Sequence, residues 1–303
     1  MMHDLFLHPP PGQDDLSFDE IFEKLRDSET LAPYVNYEDS TPEQLVLTDP
    51  DTGVWALVTP GGPFIDEDHE PDPRVLHIQL PYARPRFFAI EGALFVLALV
   101  QELGGTIEDP ADPEDPSPRS RKEEELVASW ERRNVEHLAE LSEQGDEGLG
   151  GLAAQPGDDR KRIDRTLLES VFSQNLHRLE LQGKAGSEVE VPRLVLASLP
   201  LRREPAVVCS YTAGNSVWLP DAVTHVVLRR RRKSWLGSKE EELLVDADAL
   251  RKVLSPFERS DEAPGGMRAF HPTLEATDPR WQALDGKEAR GLAVIDWNEI
   301  VDA

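Results

Sequence analysis

The sequence predicts an α+β fold of two small domains, each a mainly antiparallel sheet with packed helices, joined by acidic linkers rich in proline and glycine. Three observations support this prediction. The 303 residues exceed the usual size of one hydrophobic core and suggest about two domains. Six Trp and ten Phe are typical of a folded protein. Short apolar runs typical of strands alternate with helical spacing in both halves.

The charge separates the two predicted domains. Residues 1–159 contain 10 Lys and Arg against 36 Asp and Glu, whereas residues 160–303 contain 22 of each class. The whole net charge of −26 therefore lies in the first half. We predict an acidic domain over residues 1–143, a linker over residues 144–159 and a charge-balanced domain over residues 160–303. Closely spaced prolines break helices and strand pairing, so residues 109–120 are predicted as a linker inside the first domain.

The first domain is predicted to begin with a short helix after Ser17, an N-cap residue with Glu20 three positions later. Residues 45–58 predict a β-hairpin, because Pro50 and Gly53 favour a turn between two apolar runs. We expect further strands at residues 75–80 and 106–108, with a mostly buried helix from Phe87 to Leu103 between them. A second helix is predicted over residues 121–143, with an apolar face formed by Leu126, Trp130, Val135, Leu138 and Leu141.

The second domain is predicted to open with one helix over residues 161–181, whose apolar stripe consists of Ile163, Leu167, Val171 and Leu179. Strands are expected at residues 194–199, 206–211, 223–230 and 241–245. A short helix over residues 247–254, a loop through residues 264–266 and a last strand over residues 292–297 complete this prediction.

The sequence lacks the common catalytic motifs. Nucleophile elbows, Walker A loops, dinucleotide fingerprints and HExxH helices are absent, which lowers the expectation of an enzyme without removing it. The alternative function is an enzyme with an active site built from dispersed residues such as Cys209, His225 and Asp221, in which Cys209 is the candidate nucleophile and His225 could supply the base. A lone cysteine is more often a small buried apolar residue, and this structural interpretation is favoured.

An acidic segment contains the carboxylates Asp66, Asp68 and Glu70 at alternating positions, as in half of a calcium loop. Proline stands at the sixth position and histidine at the twelfth, which excludes an EF-hand. We therefore expect no metal and no cofactor, and we count the three carboxylates as candidate contacts for a basic partner.

The sharpest local feature is a cationic turn between residues 229 and 239. It has six Lys and Arg and no acidic residue, a composition that suits phosphates or an acidic surface. Residues Glu240–Glu242 follow directly, and in a hairpin they would face Arg229–Arg231 and neutralise them through cross-strand pairs. The candidate partner contacts here are Arg229, Arg230, Arg231, Arg232, Lys233, Trp235 and Leu236.

These observations predict a cytoplasmic protein-binding module, such as an adaptor, inhibitor or immunity-type protein, whose acidic first half engages a basic partner. The competing interpretation of the acidity is that it only keeps the protein soluble. Binding of phosphate or nucleic acid through the cationic turn is less favoured, because a net charge of −26 repels polyanions. A single cysteine fits a reducing cytosol, and neither a signal peptide nor a membrane span is expected.

Overall fold

The computed structural model describes residues 2–10, 17–61, 74–144, 161–199, 205–234, 237–259, 261–289, 292–295 and 300–302. It has the predicted α+β fold with antiparallel sheets. Contacts divide the chain into a first unit, Met1–Arg162 with Trp297–Asp302, and a second unit, Ile163–Asp296. The helices are α1 Phe18–Arg26, α2 Phe87–Leu103, α3 Glu123–Gln144, α4 Arg165–Leu176, α5 Arg178–Ala185, α6 Ala247–Leu254 and α7 Pro279–Gln282.

The first unit contains a five-stranded antiparallel sheet with the order β2-β3-β4-β1-β5. The sequence prediction did not include β1, which pairs with β4 on one side and β5 on the other. Helix α2 packs on β3, β4 and α3. Ser17 and Glu20 form the predicted capping box at the start of α1. The strands are β1 Met2–His8, β2 Leu45–Thr48, β3 Trp55–Pro60, β4 Leu76–Pro81 and β5 Thr106–Glu108.

The segment predicted as an internal linker, residues 109–120, is instead a folded loop. The backbone of Arg119 pairs with that of Ile107, and the Asp109 N–H donates to the Pro116 carbonyl at 3.2 Å. Arg121 closes the loop with a buried guanidinium, which donates to the carbonyls of Ile107, Asp115 and Ser117 and to the Asp112 carboxylate at 2.6 Å. The content of proline and acidic residues predicted an extended chain. Instead, the hydrogen bonds of the buried Arg121 hold the loop in a compact conformation. The predicted linker at residues 144–159 lies almost wholly outside the described residues.

The second unit contains a six-stranded mixed sheet, β15-β12-β11-β9-β8-β16, and a four-stranded sheet, β13-β14-β10-β7. Strands β9 and β11 are parallel, whereas β11 and β12 form an antiparallel hairpin. Strands β10 and β14 were not predicted from the sequence. The strands are β7 Val189–Glu190, β8 Val195–Ser198, β9 Ala206–Thr212, β10 Ser216–Pro220, β11 His225–Ser234, β12 Gly237–Asp246, β13 Glu258–Arg259, β14 Met267–Phe270, β15 Lys287–Glu288 and β16 Ala293–Val294.

The single helix predicted over residues 161–181 is wrong in its limits. Residues Lys161–Ile163 form strand β6, which pairs with β17, Ile300–Asp302, and helix α4 begins only after Asp164. The Asp164 carboxylate caps α4 by accepting the Leu167 N–H at 3.1 Å. The helix is interrupted a second time at His177, before α5 begins. Leu179 of the predicted apolar stripe is exposed. No helix of the described part is long and apolar enough to cross a membrane.

Candidate functional site: the β11–β12 ribbon

The cationic turn predicted from the sequence lies in the long hairpin of β11 and β12. Only His225–Arg229 of β11 pair with β9, and β12 pairs with β15 only at Leu243 and Leu244. Between these limits and the turn, the two strands pair with each other alone among the described residues. We call residues 229–234 and 237–242 the ribbon.

The register of the ribbon confirms the predicted cross-strand charge pairs. Arg229 faces Glu242 with Nε and Oε1 2.9 Å apart, and Arg231 faces Glu240 with the same atoms 3.6 Å apart. The next cation has no opposite charge across from it, because Arg232 faces Lys239. The cross-strand pairs of the ribbon therefore join opposite charges near the sheet and like charges toward the turn.

Arg230 differs from its neighbours because it is buried. Its Nε donates to Glu241 Oε1 at 2.5 Å, and its Nη1 donates to the backbone carbonyls of Trp281 and Leu284. The guanidinium thus anchors the base of the ribbon to the segment that contains α7. Among the predicted contacts whose side chains the structure describes, Arg230 is the buried one, so it is not available to a partner.

Among the described residues, the outer cations Arg231 and Arg232 have few acceptors. The side chains of Arg231 and Arg232 are 60% and 69% exposed. The carboxylate paired with Arg232 is that of Glu241, whose Oε2 lies 4.0 Å from Arg232 Nη1 and whose Oε1 already accepts from Arg230. Like charges directly opposite each other destabilise a strand pair. A carboxylate or phosphate from outside would relieve this repulsion.

A cleft of about 820 Å³ follows the ribbon and gives space for such a group. Its lining includes Arg229–Arg232, Lys239 and Glu240–Glu242, together with Asn215 and Glu288. The register places Lys233 opposite Ser238. The remaining predicted contacts of this turn, Trp235 and Leu236, lie outside the described residues, as do Asp66, Asp68 and Glu70.

The structure does not bring together the alternative catalytic pair. In the parallel pairing of β9 and β11, Cys209 lies beside Val226 and His225 beside Val208, so the two side chains point to opposite faces of the sheet. Burial raises the pKa of the Cys209 thiol to about 12, which keeps it protonated and unreactive at neutral pH. Asp221 is exposed and binds Arg268 at 2.9 Å. The hypothesis of a Cys209–His225 dyad is therefore wrong.

Two buried polar clusters of the first unit were not found from the sequence. One joins His3, Tyr82 and Asp109. In the other, the Thr52 hydroxyl donates to buried Glu91 at 2.7 Å, and burial, with the nearby Asp49 carboxylate, raises the pKa of Glu91 to about 9. Their members are tens of residues apart, so no local spacing could have revealed them. Within the described ranges, no group of His, Cys, Asp and Glu is arranged to hold a metal ion.

Comparison with known proteins found no family model, no curated protein and no solved structure that matches this chain.

Proposed function

We propose that this chain is a cytoplasmic protein-binding module whose ribbon binds an acidic segment of a partner protein. The observation that carries the proposal is the pair of opposed cations, Arg232 and Lys239, on an exposed and otherwise regular hairpin. Their repulsion is a cost that the free protein bears and that a bound carboxylate would remove. Charge complementarity of this kind speeds association and selects partners.

The spacing of the exposed cations favours an extended acidic peptide over a single small anion. Arg229 and Arg231 alternate along one face of β11, so their side chains lie two residues apart. Carboxylates at alternate positions of an extended segment repeat at about the same interval. A partner strand or loop on this face could therefore contact both arginines at the same time, whereas Arg232 and Lys239 lie on the opposite face of the hairpin.

A nucleic acid is a less suitable partner than an acidic protein. The net charge of −26 repels a long polyanion at every approach, whereas a short acidic segment meets only the local cations. The proposal also retains the interpretation that the acidic first half engages a basic partner surface. Both contacts would weaken with salt, because exposed charges are screened beyond roughly 8 Å at physiological ionic strength.

The test measures binding of a labelled decapeptide of alternating Glu and Ser by fluorescence anisotropy, with matched Lys/Ser and Gln/Ser peptides and single-stranded DNA as comparisons. We expect the acidic peptide to bind best and the double variant Arg231→Glu/Arg232→Glu to lose at least about tenfold in affinity, as expected when charge-assisted contacts become repulsive. Arg259→Glu is the control, because Arg259 is an exposed cation of the same unit outside the ribbon.

The proposal would be overturned by an acidic peptide that binds no better than the neutral one. It would equally be overturned if the control variant lost as much affinity as the ribbon variant. Tighter binding of DNA than of the peptide would assign the ribbon to nucleic acid instead.

A further inference from the structure

The first unit contains a small cavity that is independent of the ribbon. It has a volume of about 300 Å³, and one wall is the side chain of Tyr82, which is almost entirely buried. Helix α3 supplies Arg133, Glu136, His137 and Glu140, so the opening carries charged groups of both signs. Apolar atoms of Pro110 and Ala111 complete part of the wall. A cavity of this size is at the lower end of small-molecule sites.

The charged groups of α3 form two neighbouring rows. Arg133 and His137 are four residues apart and share one row, while Glu136 and Glu140 share the next. The rows are in contact, since Arg133 Nη1 lies 2.7 Å from Glu136 Oε2 and His137 Nδ1 lies 3.7 Å from Glu140 Oε2. The cavity therefore presents hydrogen-bond donors along one side and carboxylates along the other.

A buried relay fixes the hydrogen-bonding direction of Tyr82. The Tyr82 hydroxyl is 2.6 Å from His3 Nδ1, and His3 Nε2 faces the buried Asp109 carboxylate at 3.8 Å. Burial lowers the pKa of His3, so its ring is neutral and has one N–H. That N–H belongs at Nε2, where it faces a carboxylate, which leaves Nδ1 to accept the phenolic proton. The Tyr82 oxygen is then an acceptor, and the Arg133 side chain is its hydrogen-bond donor.

The backbone after Tyr82 is held in an unusual conformation by the same helix. Ala83 has a φ of +58°, in the left-handed region that residues other than glycine seldom adopt. Its N–H donates to Asn134 Oδ1 at 2.5 Å, and Trp130 Nε1 donates to the Pro81 carbonyl at 3.2 Å. Such strain persists where the surroundings determine it, and here it fixes the position of Tyr82 against α3.

From these observations we infer that the cavity binds a small zwitterion with one ammonium and one carboxylate group, the chemistry of a free α-amino acid. The carboxylate lies against Arg133 and His137, where a guanidinium provides paired donors. The ammonium lies against Glu140 and Asp4, which also lines the cavity. A zwitterion would interact with both rows at once, whereas a ligand with a single charge would interact with only one of them.

The test is a titration of the whole chain with each proteinogenic α-amino acid, by isothermal calorimetry and by NMR of the Tyr82 ring. We expect at least one amino acid to bind with a dissociation constant below about 1 mM. Its methyl ester, which lacks the carboxylate, and its N-acetyl form, which lacks the ammonium, should each bind at least about tenfold more weakly.

Matched variants assign the binding to this cavity. Arg133→Gln and Glu140→Gln should each weaken binding at least about tenfold. Arg26→Gln and Glu23→Gln should leave it unchanged, because Arg26 and Glu23 form the same type of (i, i+3) pair on α1, away from the cavity. Melting temperatures show whether each variant is folded, and Arg133→Lys provides a milder change if Arg133→Gln is unstable.

The inference is overturned if no amino acid shifts the Tyr82 resonances or if the ester and the N-acetyl form bind as tightly as the parent amino acid. Equal losses in the α1 and α3 variants would overturn it as well. Because none of these residues belongs to the ribbon, peptide binding there can fail or succeed without deciding this result.

Discussion

Two arginine-rich regions of this chain use the same residue types in opposite ways. In the loop that Arg121 closes, the guanidinium is fully buried and donates to acceptors of the loop and of the preceding strand. In the ribbon, Arg231 and Arg232 are mostly exposed, and Arg232 faces another cation. The difference lies in the acceptors: the loop surrounds its arginine with carbonyls and a carboxylate, whereas the ribbon has fewer carboxylates than cations. The buried arginine stabilises its loop, whereas the exposed arginines of the ribbon remain available to a partner.

The largest expected loss of stability is in the loop that Arg121 closes. Arg121→Met should lower the free energy of unfolding by about 3–5 kcal/mol, because it leaves buried carbonyls and a carboxylate without their partner. Arg119→Met is the control, since Arg119 is partly exposed and shares its carboxylates; it should cost much less than Arg121→Met. Urea unfolding measures both. A similar loss in the two variants would show that burial does not distinguish these arginines.

The ribbon contains its own version of the same contrast. Arg230→Met should destabilise the chain by about 3 kcal/mol, because Arg230 is buried between Glu241 and two backbone carbonyls. Arg232→Met, two residues away, should leave the stability unchanged or slightly raise it by removing the repulsion from Lys239. Thermal melts compare the two. If Arg232→Met lowered the melting temperature more than Arg230→Met, Arg232 would be needed for folding and would not be a cation held available for a partner.

Glu91 extends the comparison to a buried acid that has no arginine partner in the cluster described above. Its charge is neutralised by a bound proton. Burial raises its pKa from 4.5 to about 9, so the folded protein keeps a proton that the unfolded chain loses above pH 4.5. Its contribution to stability therefore falls as the pH rises from about 4.5 to 9. Glu91→Gln, which resembles the protonated acid, should remove this slope and raise stability by roughly 2 kcal/mol at pH 8. Unfolding curves at pH 5 and pH 8 test it; an unchanged slope would mean that Glu91 is ionised in the folded protein.

The smallest effect concerns the opposed cations. Lys239→Glu creates an opposite-charge pair with Arg232 and should stabilise the hairpin by about 0.2–1 kcal/mol while it weakens acidic-peptide binding. Stability and affinity would thus change in opposite directions. A variant that lost stability and kept its affinity would contradict the proposed role of the ribbon.

The sequence predicted the features that depend on local order. The ribbon register follows from runs of arginine and glutamate flanking a turn, and the α1 capping box follows from Ser17 and Glu20. Long-range burial was not predictable in this way. Strand β1 was missed because its pairing partners are β4 and β5, far along the chain. Helix periodicity also misplaced one apolar face: Val135 of α3 is exposed, and the polar Asn134 is buried because it binds the backbone of Ala83 and Arg84.

The candidate sites follow the same division. The cationic turn was visible in the sequence because its residues are consecutive, but the burial of Arg230 depends on carbonyls of residues 281 and 284. The cavity beside Tyr82 depends on contacts among β1, the end of β4, the loop after β5 and α3. Side chains brought together from four elements leave no spacing pattern for a sequence to display.

The position of β1 between β4 and β5 has a consequence for how the first unit folds. His3 meets Tyr82 across 79 residues, and His8 meets Glu108 across 100 residues. During synthesis, the earliest strand must wait for β4 and β5 to leave the ribosome before its edges can pair. Pairing across such distances raises the contact order, so the sheet should close slowly and late compared with the local β2–β3 hairpin. Until then β1 is an unpaired strand that exposes the apolar residues Leu5, Phe6 and Leu7. Such a segment is a suitable binding site for a chaperone.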